Sequence, residues 1–288
     1  MKLATFHDAE TTNWGLVQRS GVQLAPDSVR SRWPGLRELL AAGAMQQASS
    51  LLADAPLRSL SAIRFSALLP QPSRILCVGV NYLAHIQEMG RKVPDFPTVF
   101  TRHPDTLVGH GESIVRPHIS TAFDYEGELA VVIGKAGRYI KAGEALDHVA
   151  GYTCLLDGSV RDWQMHTTQF TPGKNFPATG SCGPWLVTVD EIPDPSRLHL
   201  QTRVNGEVVQ EAPLSDLCFD VRRIIEYCSS FCTLRPGDII ATGTPSGVGY
   251  ARKPQRWLTP GDLVEVEISQ IGVLRNEVVD EATVKGEI

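Results

Sequence analysis

Two glutamates separated by a single glycine stand in the segment Asp124-Tyr125-Glu126-Gly127-Glu128, which runs directly into an apolar stretch. Residues two apart on a strand point to the same face, so we expect Glu126 and Glu128 to project together. Two carboxylates at the head of a buried strand repel one another unless a positive group lies between them. A divalent cation meets that need, because Mg²⁺, Mn²⁺ and Ca²⁺ all prefer oxygen ligands.

A third carboxylate is needed for a good metal site, and Asp157 is the best candidate. It ends the apolar run 151–156, a second strand-like segment. The alternative is that Glu126 and Glu128 form a solvated strand edge while Asp157 is a turn residue before Gly158. Spacing alone leaves both interpretations open.

A histidine and a glutamate three residues apart, His85 and Glu88, form a second candidate group. On a helix this spacing puts both side chains on one face, within reach of one another. A carboxylate beside an imidazole orients the ring and raises its basicity, so the pair could take a proton from water near neutral pH. The alternative is a surface pair on an amphipathic helix.

Further polar residues could bind or stabilise an anionic substrate. Lys174 beside a metal could stabilise an enolate, and Gln164 offers an amide donor to the same region; the alternatives are a solvated lysine and a structural glutamine. Arg102 could bind a carboxylate with two hydrogen bonds, although a structural ion pair fits it equally well. Arg161 beside Asp162 is interpreted as a structural ion pair and not as a catalytic group. Hydroxyl and backbone N–H donors come from a loop, with a plain tight turn as the alternative: Thr242, Gly243 and Thr244.

Charge and composition exclude several classes of protein. The 288 residues carry 27 basic and 32 acidic side chains, and a formal net charge of −5 is not that of a nucleic-acid or anionic-membrane binder. No apolar run approaches the roughly 18 residues that cross a bilayer, and no secretory signal is evident. We therefore expect a cytoplasmic protein with no membrane or nucleic-acid partner.

Hydrophobic patterning predicts the elements that position these groups. Residues 1–70 combine strands over 3–6 and 15–17 with a helix over 35–53, and two prolines in 70–73 mark a boundary. The strands predicted beyond it cover 74–80, 129–134, 198–204, 207–210 and 263–268, with Asn205-Gly206 as a hairpin signal. The predicted helices cover 81–89, 145–148 and 221–231. The pattern indicates a β-rich α+β chain with a small N-terminal α/β domain, residues 1–70, and a larger second domain, residues 71–288.

Six segments carry a more specific signal. They are Gly79-Val80-Asn81-Tyr82-x-x-His85-x-x-Glu88-x-Gly90, the run 124–134, Gly151-Tyr152-Thr153 with Asp157 and Arg161-Asp162-Trp163-Gln164, Gly173-Lys174-x-Phe176, Gly183-Pro184-Trp185, and Ala241-Thr242-Gly243-Thr244-Pro245-x-Gly247-Val248-Gly249. In order and spacing, over about residues 74–280, they resemble the fumarylacetoacetate hydrolase family. A Glu-x-Glu pair alone is a weak match, whereas six segments in order are a specific one.

The resemblance implies a fold, an assembly and a metal site. The fold would be a mixed β-roll catalytic domain with a smaller N-terminal domain, usually assembled as a homodimer. Glu126, Glu128 and Asp157 would bind Mg²⁺ or Mn²⁺. The substrate would be a small anionic keto acid, either a 1,3-dicarbonyl or a 2-keto acid, held through its oxygens.

The resemblance also implies a reaction. His85 and Glu88 would lie on a mobile lid, following the substrate-binding residues Asn81 and Tyr82, and would activate water. Hydrolysis would then cleave a carbon–carbon bond of an acylpyruvate or 1,3-diketo acid, with Lys174 stabilising the enolate that leaves. The alternatives are decarboxylation of an oxaloacetate-type 2-keto acid and isomerisation or hydration of an unsaturated one. A non-catalytic small-molecule-binding protein is a rival from another class.

Several positions depart from the family pattern. Leu156 precedes Asp157 where asparagine is common, Arg102 stands in place of a lysine, and Pro177 replaces an acidic residue. The metal ligands survive these changes, but the surroundings that select the substrate do not. Three histidines near the motifs have no assigned role: His103, His110 and His166.

Overall fold

The computed structural model describes residues 1–8, 11–90 and 92–283. Its strands are β1 (Lys2–Asp8), β2 (Thr11–Gln18), β3 (Gly21–Leu24), β4 (Leu57–Arg58), β5 (Arg64–Phe65), β6 (Ile75–Gly79), β7 (Thr98–Arg102), β8 (Leu107–Val108), β9 (Ile114–Arg116), β10 (Phe123–Asp124), β11 (Gly127–Ile133), β12 (Val149–Leu156), β13 (Ser159–Val160), β14 (Gly180–Thr188), β15 (His199–Val204), β16 (Glu207–Pro213), β17 (Ile239–Ala241), β18 (Leu263–Ile268) and β19 (Gly272–Asp280). Its α-helices are α1 (Asp27–Arg30), α2 (Leu36–Ala41), α3 (Ala48–Leu51), α4 (Leu83–Glu88), α5 (Arg161–Gln164), α6 (Thr171–Lys174) and α7 (Val221–Phe231).

A twelve-stranded mixed sheet forms the body of the molecule. Its strand order is β4-β3-β2-β1-β14-β12-β11-β17-β6-β7, with β5 paired to β1 and β8 paired to β14. Every residue of β11 and β12 is buried, and apart from Glu128 and Thr153 their sequences are apolar, as expected of strands covered on both faces. A five-stranded sheet, β16-β15-β18-β19-β9, shares one hydrophobic core with them. The predicted sheet-rich α+β fold is confirmed.

The N-terminal residues contribute strands to this same sheet. The predicted strands over 3–6 and 15–17 are present as the longer β1 and β2, and β1 pairs with β14 through Leu3 and Leu186. The single helix predicted over 35–53 is wrong. Gly43 takes a φ of 63°, the left-handed conformation that ends helices, so the segment divides into α2, a 3₁₀ turn and α3. The boundary between residues 70 and 71 stays a prediction.

Local signals in the larger part of the chain give the expected elements. Asn205 and Gly206 both have positive φ and join β15 to β16, which is the geometry of a two-residue hairpin. The helix predicted over 221–231 is α7, whose first turn is capped by the Asp220 carboxylate accepting the Arg223 N–H. The helix over 81–89 is the shorter α4, and a 3₁₀ segment, Ala142–His148, replaces the helix over 145–148. No helix of the described residues is long and apolar enough to cross a membrane.

Candidate metal centre and active site

Glu126, Glu128 and Asp157 meet at one end of the central strand pair. Glu128 is the second residue of β11, Asp157 follows β12, and the register pairs Gly127 with Leu156. The Asp157 N–H donates to the Glu126 carbonyl oxygen at 2.8 Å, which fixes the two segments together. One oxygen from each of the three carboxylates lies within 4.8 Å of the others, and all three residues are buried. The solvated strand edge is therefore excluded.

The route by which Glu126 reaches the cluster differs from the simple strand expectation. Glu126 lies in the link between β10 and β11, not in β11 itself. Gly127 is needed beside it, because a Cβ there would lie 2.1 Å from the Thr202 hydroxyl oxygen. Gly158 next to Asp157 is equally restricted, since a Cβ would lie 1.8 Å from the Thr179 carbonyl oxygen.

Buried cations neutralise two of the three carboxylates. Lys174 Nζ donates to Glu126 Oε2 at 2.6 Å and to Asp157 Oδ2 at 2.7 Å, and Arg161 Nη2 lies 2.7 Å from Glu126 Oε1. Burial alone would raise the pKa of Glu126, but the charges of Lys174 and Arg161 outweigh it and lower that pKa to about 2. Burial would likewise lower the pKa of Lys174, yet Asp157 and Glu126 raise it. This lysine is therefore a fixed ammonium at neutral pH.

Glu128 is the carboxylate whose charge is left uncompensated. It accepts a hydrogen bond from the Gly243 N–H at 2.7 Å, but no ion pair within the described ranges involves it. Burial, followed by the neighbouring charges of Asp157 and Glu126, raises its pKa well above the usual value. Three converging carboxylates with one uncompensated charge fit a hard divalent cation.

The histidine and glutamate of α4 are in direct contact. His85 Nδ1 and Glu88 Oε2 are 2.9 Å apart, and Glu88 Oε1 accepts the Gly247 N–H at 2.9 Å. The imidazole is buried and only 6% of its side chain is exposed. Because Glu88 holds Nδ1, Nε2 is the ring nitrogen left for other partners. Their role in proton transfer stays a prediction.

One cavity brings the dyad and the carboxylates together. Its lining residues are Val78, Gly79, Val80, His85, Met89, Phe100, Glu126, Glu128, Arg161, Gln164, Met165, Phe170, Lys174 and Thr244. Its volume is about 30 Å³, which exceeds the roughly 10–15 Å³ that one water needs, so the cavity has space for water beside the carboxylates.

Arg102 does not face this cavity, contrary to its predicted role in binding a substrate carboxylate. Its side chain is fully buried behind the site and pairs with Asp157. Further hydrogen bonds run from Nε to the Thr106 hydroxyl at 3.0 Å and from Nη2 to the Thr179 hydroxyl at 2.9 Å. With its donors used by the protein, Arg102 fits the structural ion pair that was the alternative.

Two other predicted substrate-binding residues, Asn81 and Thr242, have partners inside the protein. The Asn81 amide donates to the Phe219 and Thr242 carbonyl oxygens at 2.9 and 2.7 Å, so it fixes a loop. Tyr82 is buried outside the cavity lining, and its hydroxyl has no hydrogen-bond partner among the described residues. The Thr242 hydroxyl donates to the Leu129 carbonyl oxygen.

The predicted loop therefore acts mainly as a support. Gly243 uses its N–H to hold Glu128, and its φ of 100° is one that glycine adopts readily. Thr244 is the loop residue that lines the cavity. Its hydroxyl donates to the Gly127 carbonyl oxygen at 3.0 Å and accepts from Gln210 Nε2 at 2.8 Å.

Sequence reasoning gave too small a role to Arg161. It was interpreted as a structural ion pair with its neighbour Asp162, but its actual partners are Asp124 and Glu126, and it lines the cavity. Gln164 accepts from Arg161 Nη1 at 2.8 Å. Their spacing of three on the short helix α5 was the signal that could have joined them.

The three unassigned histidines lie outside the cavity lining. His103 and His166 are exposed, and the His166 ring lies 4.9 Å from the Trp163 ring. His110 Nδ1 accepts the Arg275 N–H at 3.2 Å. Burial, then the charge of Arg275, lowers the pKa of His110.

Comparisons with known proteins show the family of this chain. The family model described as fumarylacetoacetate (FAA) hydrolase C-terminal matches residues 74–279. The chain belongs to the fumarylacetoacetate hydrolase family. Among its relatives, oxaloacetate tautomerase YisK of Bacillus subtilis is 46% identical over 225 residues, covering 76% of this chain and 74% of that protein. The mitochondrial oxaloacetate tautomerase Fahd2a of Rattus norvegicus is 44% identical over 231 residues, covering 80% and 74%.

Solved structures extend the likeness over nearly the whole chain. Fumarylacetoacetate hydrolase from Exiguobacterium antarcticum superposes with a TM-score of 0.85 and 35% identity, covering 98% of this chain and 100% of that one. Maleylpyruvate hydrolase from Sphingobium sp. SYK-6, in complex with manganese(II) and pyruvate, gives a TM-score of 0.80 and 28% identity, covering 97% and 99%. This chain is thus an enzyme of the family, and its acidic triad fits a divalent metal.

Proposed function

We propose that this enzyme interconverts the enol and keto forms of a small 2-keto dicarboxylic acid of the oxaloacetate type. The observation that carries the proposal is that His85, hydrogen-bonded to Glu88, lines the same cavity as Glu126 and Glu128 of the carboxylate triad. Relatives at 44–46% identity are named oxaloacetate tautomerases, which favours proton transfer over the carbon–carbon hydrolysis that the sequence first indicated.

The cofactor in this proposal is Mg²⁺ or Mn²⁺, with Ca²⁺ as a third candidate, and its ligands are Glu126, Glu128 and Asp157. When bound, such a cation would supply Lewis-acid polarisation of the keto acid oxygens. Support comes from the uncompensated charge of Glu128, which no side chain of the described residues pairs. The remaining chemistry belongs to side chains of this chain.

Tautomerisation moves one proton from the carbon beside the keto group and returns one to the carbonyl oxygen. Glu88 occupies Nδ1 of His85, so Nε2 would accept the carbon-bound proton. Glu88 would then stabilise the imidazolium that forms. General acid–base catalysis of this kind contributes roughly 10²–10⁴-fold to a rate.

The oxygen end of the substrate needs positive groups that stay charged. Lys174 has three N–H donors and spends two on Glu126 and Asp157, which leaves one for the developing enolate oxygen. Since its pKa is raised, Lys174 would stabilise that oxygen by a hydrogen bond. Water would supply the proton that completes the enol, and the hydroxide left behind would take the proton held by His85.

A carboxylate of the substrate would bind Arg161. Its Nη2 group lies against Glu126 as an ion pair but has no hydrogen-bond partner of good geometry in the described structure. Gln164, which holds Nη1, would keep the guanidinium plane turned toward the cavity. Arg161 thus replaces Arg102 as the proposed carboxylate-binding residue.

Hydrolysis of an acylpyruvate remains the second candidate. The similarity to maleylpyruvate hydrolase favours it, and the cavity has space for a water that His85 could deprotonate. Decarboxylation of the same keto acids would need no such water. Small anionic keto acids are the substrate class in every case.

The test follows a freshly dissolved enolic 2-keto dicarboxylic acid with the Mn²⁺-loaded enzyme. We expect loss of the ultraviolet enol absorbance, with no release of pyruvate, of carbon dioxide or of a cleaved acid. His85→Ala should lower the rate about 10²-fold or more, whereas His166→Ala, an exposed histidine outside the cavity, should not. Enol decay at the uncatalysed rate would refute tautomerisation, and acid release from acylpyruvates would instead support hydrolysis.

A further inference from the structure

A carboxylate outside the metal triad, Asp124, is held by four hydrogen bonds. It is fully buried at the end of β10. Its Oδ1 accepts the N–H groups of Tyr125 and Gly249, both at 2.8 Å. Its Oδ2 accepts Nε of Arg161 at 2.8 Å and the N–H of Tyr250 at 3.0 Å. The proposed chemistry uses none of these bonds directly.

The bond to Arg161 controls the direction of the guanidinium. A guanidinium is planar, so fixing Nε sets the plane in which Nη1 and Nη2 lie. Asp124 holds Nε and Gln164 holds Nη1, which turns Nη2 toward Glu126 and the cavity. Without the first of these bonds, Arg161 would keep its charge but lose its orientation.

The loop that carries two of the four donors, Gly249 and Tyr250, is itself hydrogen-bonded to Glu88. Gly247, two residues before Gly249, donates its N–H to Glu88. The ring of Tyr250 lies 6.0 Å from Arg161 Cζ, within the range of a cation–π contact. Asp124 therefore joins the arginine of the cavity to a loop whose position is already determined.

We propose that Asp124 is a positioning residue that acts through Arg161 to set the binding of the substrate carboxylate. The inference rests on the proposed function, because it presumes a keto acid whose carboxylate meets Arg161. Asp124 does not touch the substrate, since it is absent from the cavity lining. Its effect is on the direction in which Arg161 presents its free N–H.

The perturbing variant is Asp124→Asn, which keeps the size of the side chain. Its Oδ1 can still accept from Tyr125 and Gly249, but an NH₂ group then faces the N–H donors of Arg161 and Tyr250. We expect KM for the keto acid to rise roughly tenfold or more, the effect of one misplaced charged hydrogen bond, and kcat to change less than KM. A merely structural role would lower the melting temperature or the folded fraction and leave KM unchanged.

Two comparisons make the test specific. Asp238→Asn is the matched control, because Asp238 is also buried and pairs with an arginine, Arg74, outside the cavity lining; its KM should equal that of the wild type. Arg161→Lys provides a double-mutant cycle. If Asp124 acts through Arg161, Asp124→Asn should add little to KM in the Arg161→Lys background.

Defined outcomes overturn the inference. The inference is refuted if a folded Asp124→Asn variant has an unchanged KM. It is also refuted if the effects of Asp124→Asn and Arg161→Lys on KM are additive in the double mutant. If that variant does not fold, Asp124→Ser is measured in its place, and failure of both to fold makes Asp124 a requirement of the fold instead. A wild-type enzyme without tautomerase activity refutes the proposed function itself. If the wild type is active but substitution of Asp124 leaves KM unchanged, only this inference is refuted.

Discussion

Replacing Glu128 by glutamine should make the metal-free protein more stable while removing its response to metal. The carboxylate is buried, has one hydrogen bond from Gly243, and lies beside two other carboxylates. Lys174 neutralises Glu126 and Asp157 but makes no ion pair with Glu128. A neutral amide of the same shape therefore removes a repulsive charge and, with it, a metal ligand.

The magnitude follows from the cost of an uncompensated buried group. Such a group costs roughly 1–3 kcal/mol, so Glu128→Gln should raise the free energy of unfolding of the metal-free protein by about that amount at pH 7. For a large domain this is a rise in melting temperature of about 2–4 °C per kcal/mol. In the wild type, by contrast, metal at 1,000 times its dissociation constant adds about 4.1 kcal/mol, which exceeds the gain expected for Glu128→Gln.

Glu126→Gln is the matched control, because this substitution in the same cluster should lower the free energy of unfolding of the metal-free protein instead of raising it. In the wild type, Lys174 and Arg161 lower the pKa of Glu126 from the usual 4.5 to about 2, against the effect of burial. At about 1.4 kcal/mol for each pKa unit, the charge of Glu126 contributes roughly 3 kcal/mol to the stability of the metal-free protein. Its removal should lower the melting temperature.

The pH dependence of the two variants should also differ. A raised pKa means that the fold resists ionisation of Glu128, so this destabilisation appears as pH rises above about 4.5 and persists at higher pH. The advantage of Glu128→Gln should therefore vanish near pH 4. The stabilisation by Glu126 is present above pH 4.5 and is lost as pH falls toward 2, because its folded pKa is lowered.

The assay is thermal unfolding of wild type, Glu128→Gln and Glu126→Gln with a chelator and then with saturating Mn²⁺. Glu128→Gln should melt above the wild type with chelator and below it with Mn²⁺, because only the wild type is stabilised by the metal. A metal-free Glu128→Gln protein that melts below the wild type would refute the charge argument. A full Mn²⁺ shift in that variant would refute the assignment of Glu128 as a ligand.

Three further predictions concern other parts of the chain. Arg102→Lys should lower the free energy of unfolding by roughly 1–3 kcal/mol in chemical denaturation, because hydrogen bonds to buried partners are lost; a large rise in KM without loss of stability would restore its predicted role in substrate binding. Asp220→Ala should cost about 1 kcal/mol by removing the cap of α7, measured by the same denaturation. Light scattering at micromolar concentration should give twice the 31.5 kDa monomer mass, and a monomer would contradict the predicted homodimer.

The parts of the site that could be predicted from the sequence are those fixed by short-range geometry. Glu126 and Glu128 converge as predicted, although Glu126 lies just before β11 and not in it. His85 and Glu88 are three apart, so the helix period suffices to bring them together. The hairpin at Asn205-Gly206 is of the same kind. Asp157 joins the carboxylates because an apolar run ends directly before it.

The residues that were misjudged depend on contacts between distant segments. Arg102 carries the charge and donors of a substrate ligand, but β7 places it behind Asp157, 55 positions along the chain. Arg161 was assigned to its neighbour Asp162, although its partner Asp124 lies 37 positions away. The helix over 35–53 has a helical hydrophobic pattern, yet the left-handed conformation of Gly43 divides it. Sequence spacing does not determine such pairings.

The pairing of β1 with β14 also gives the first strand of the chain a protective role. Leu3 lies opposite Leu186 and Lys2 opposite Val187, so β1 covers a row of backbone hydrogen-bonding groups on β14. A chain shortened to the segment that matches the family model would present that row as an open edge. Open edges of apolar strands recruit other chains, so such a fragment should aggregate even with its catalytic groups intact. The N-terminal strand β1 should therefore protect the protein from aggregation by pairing with the edge of β14.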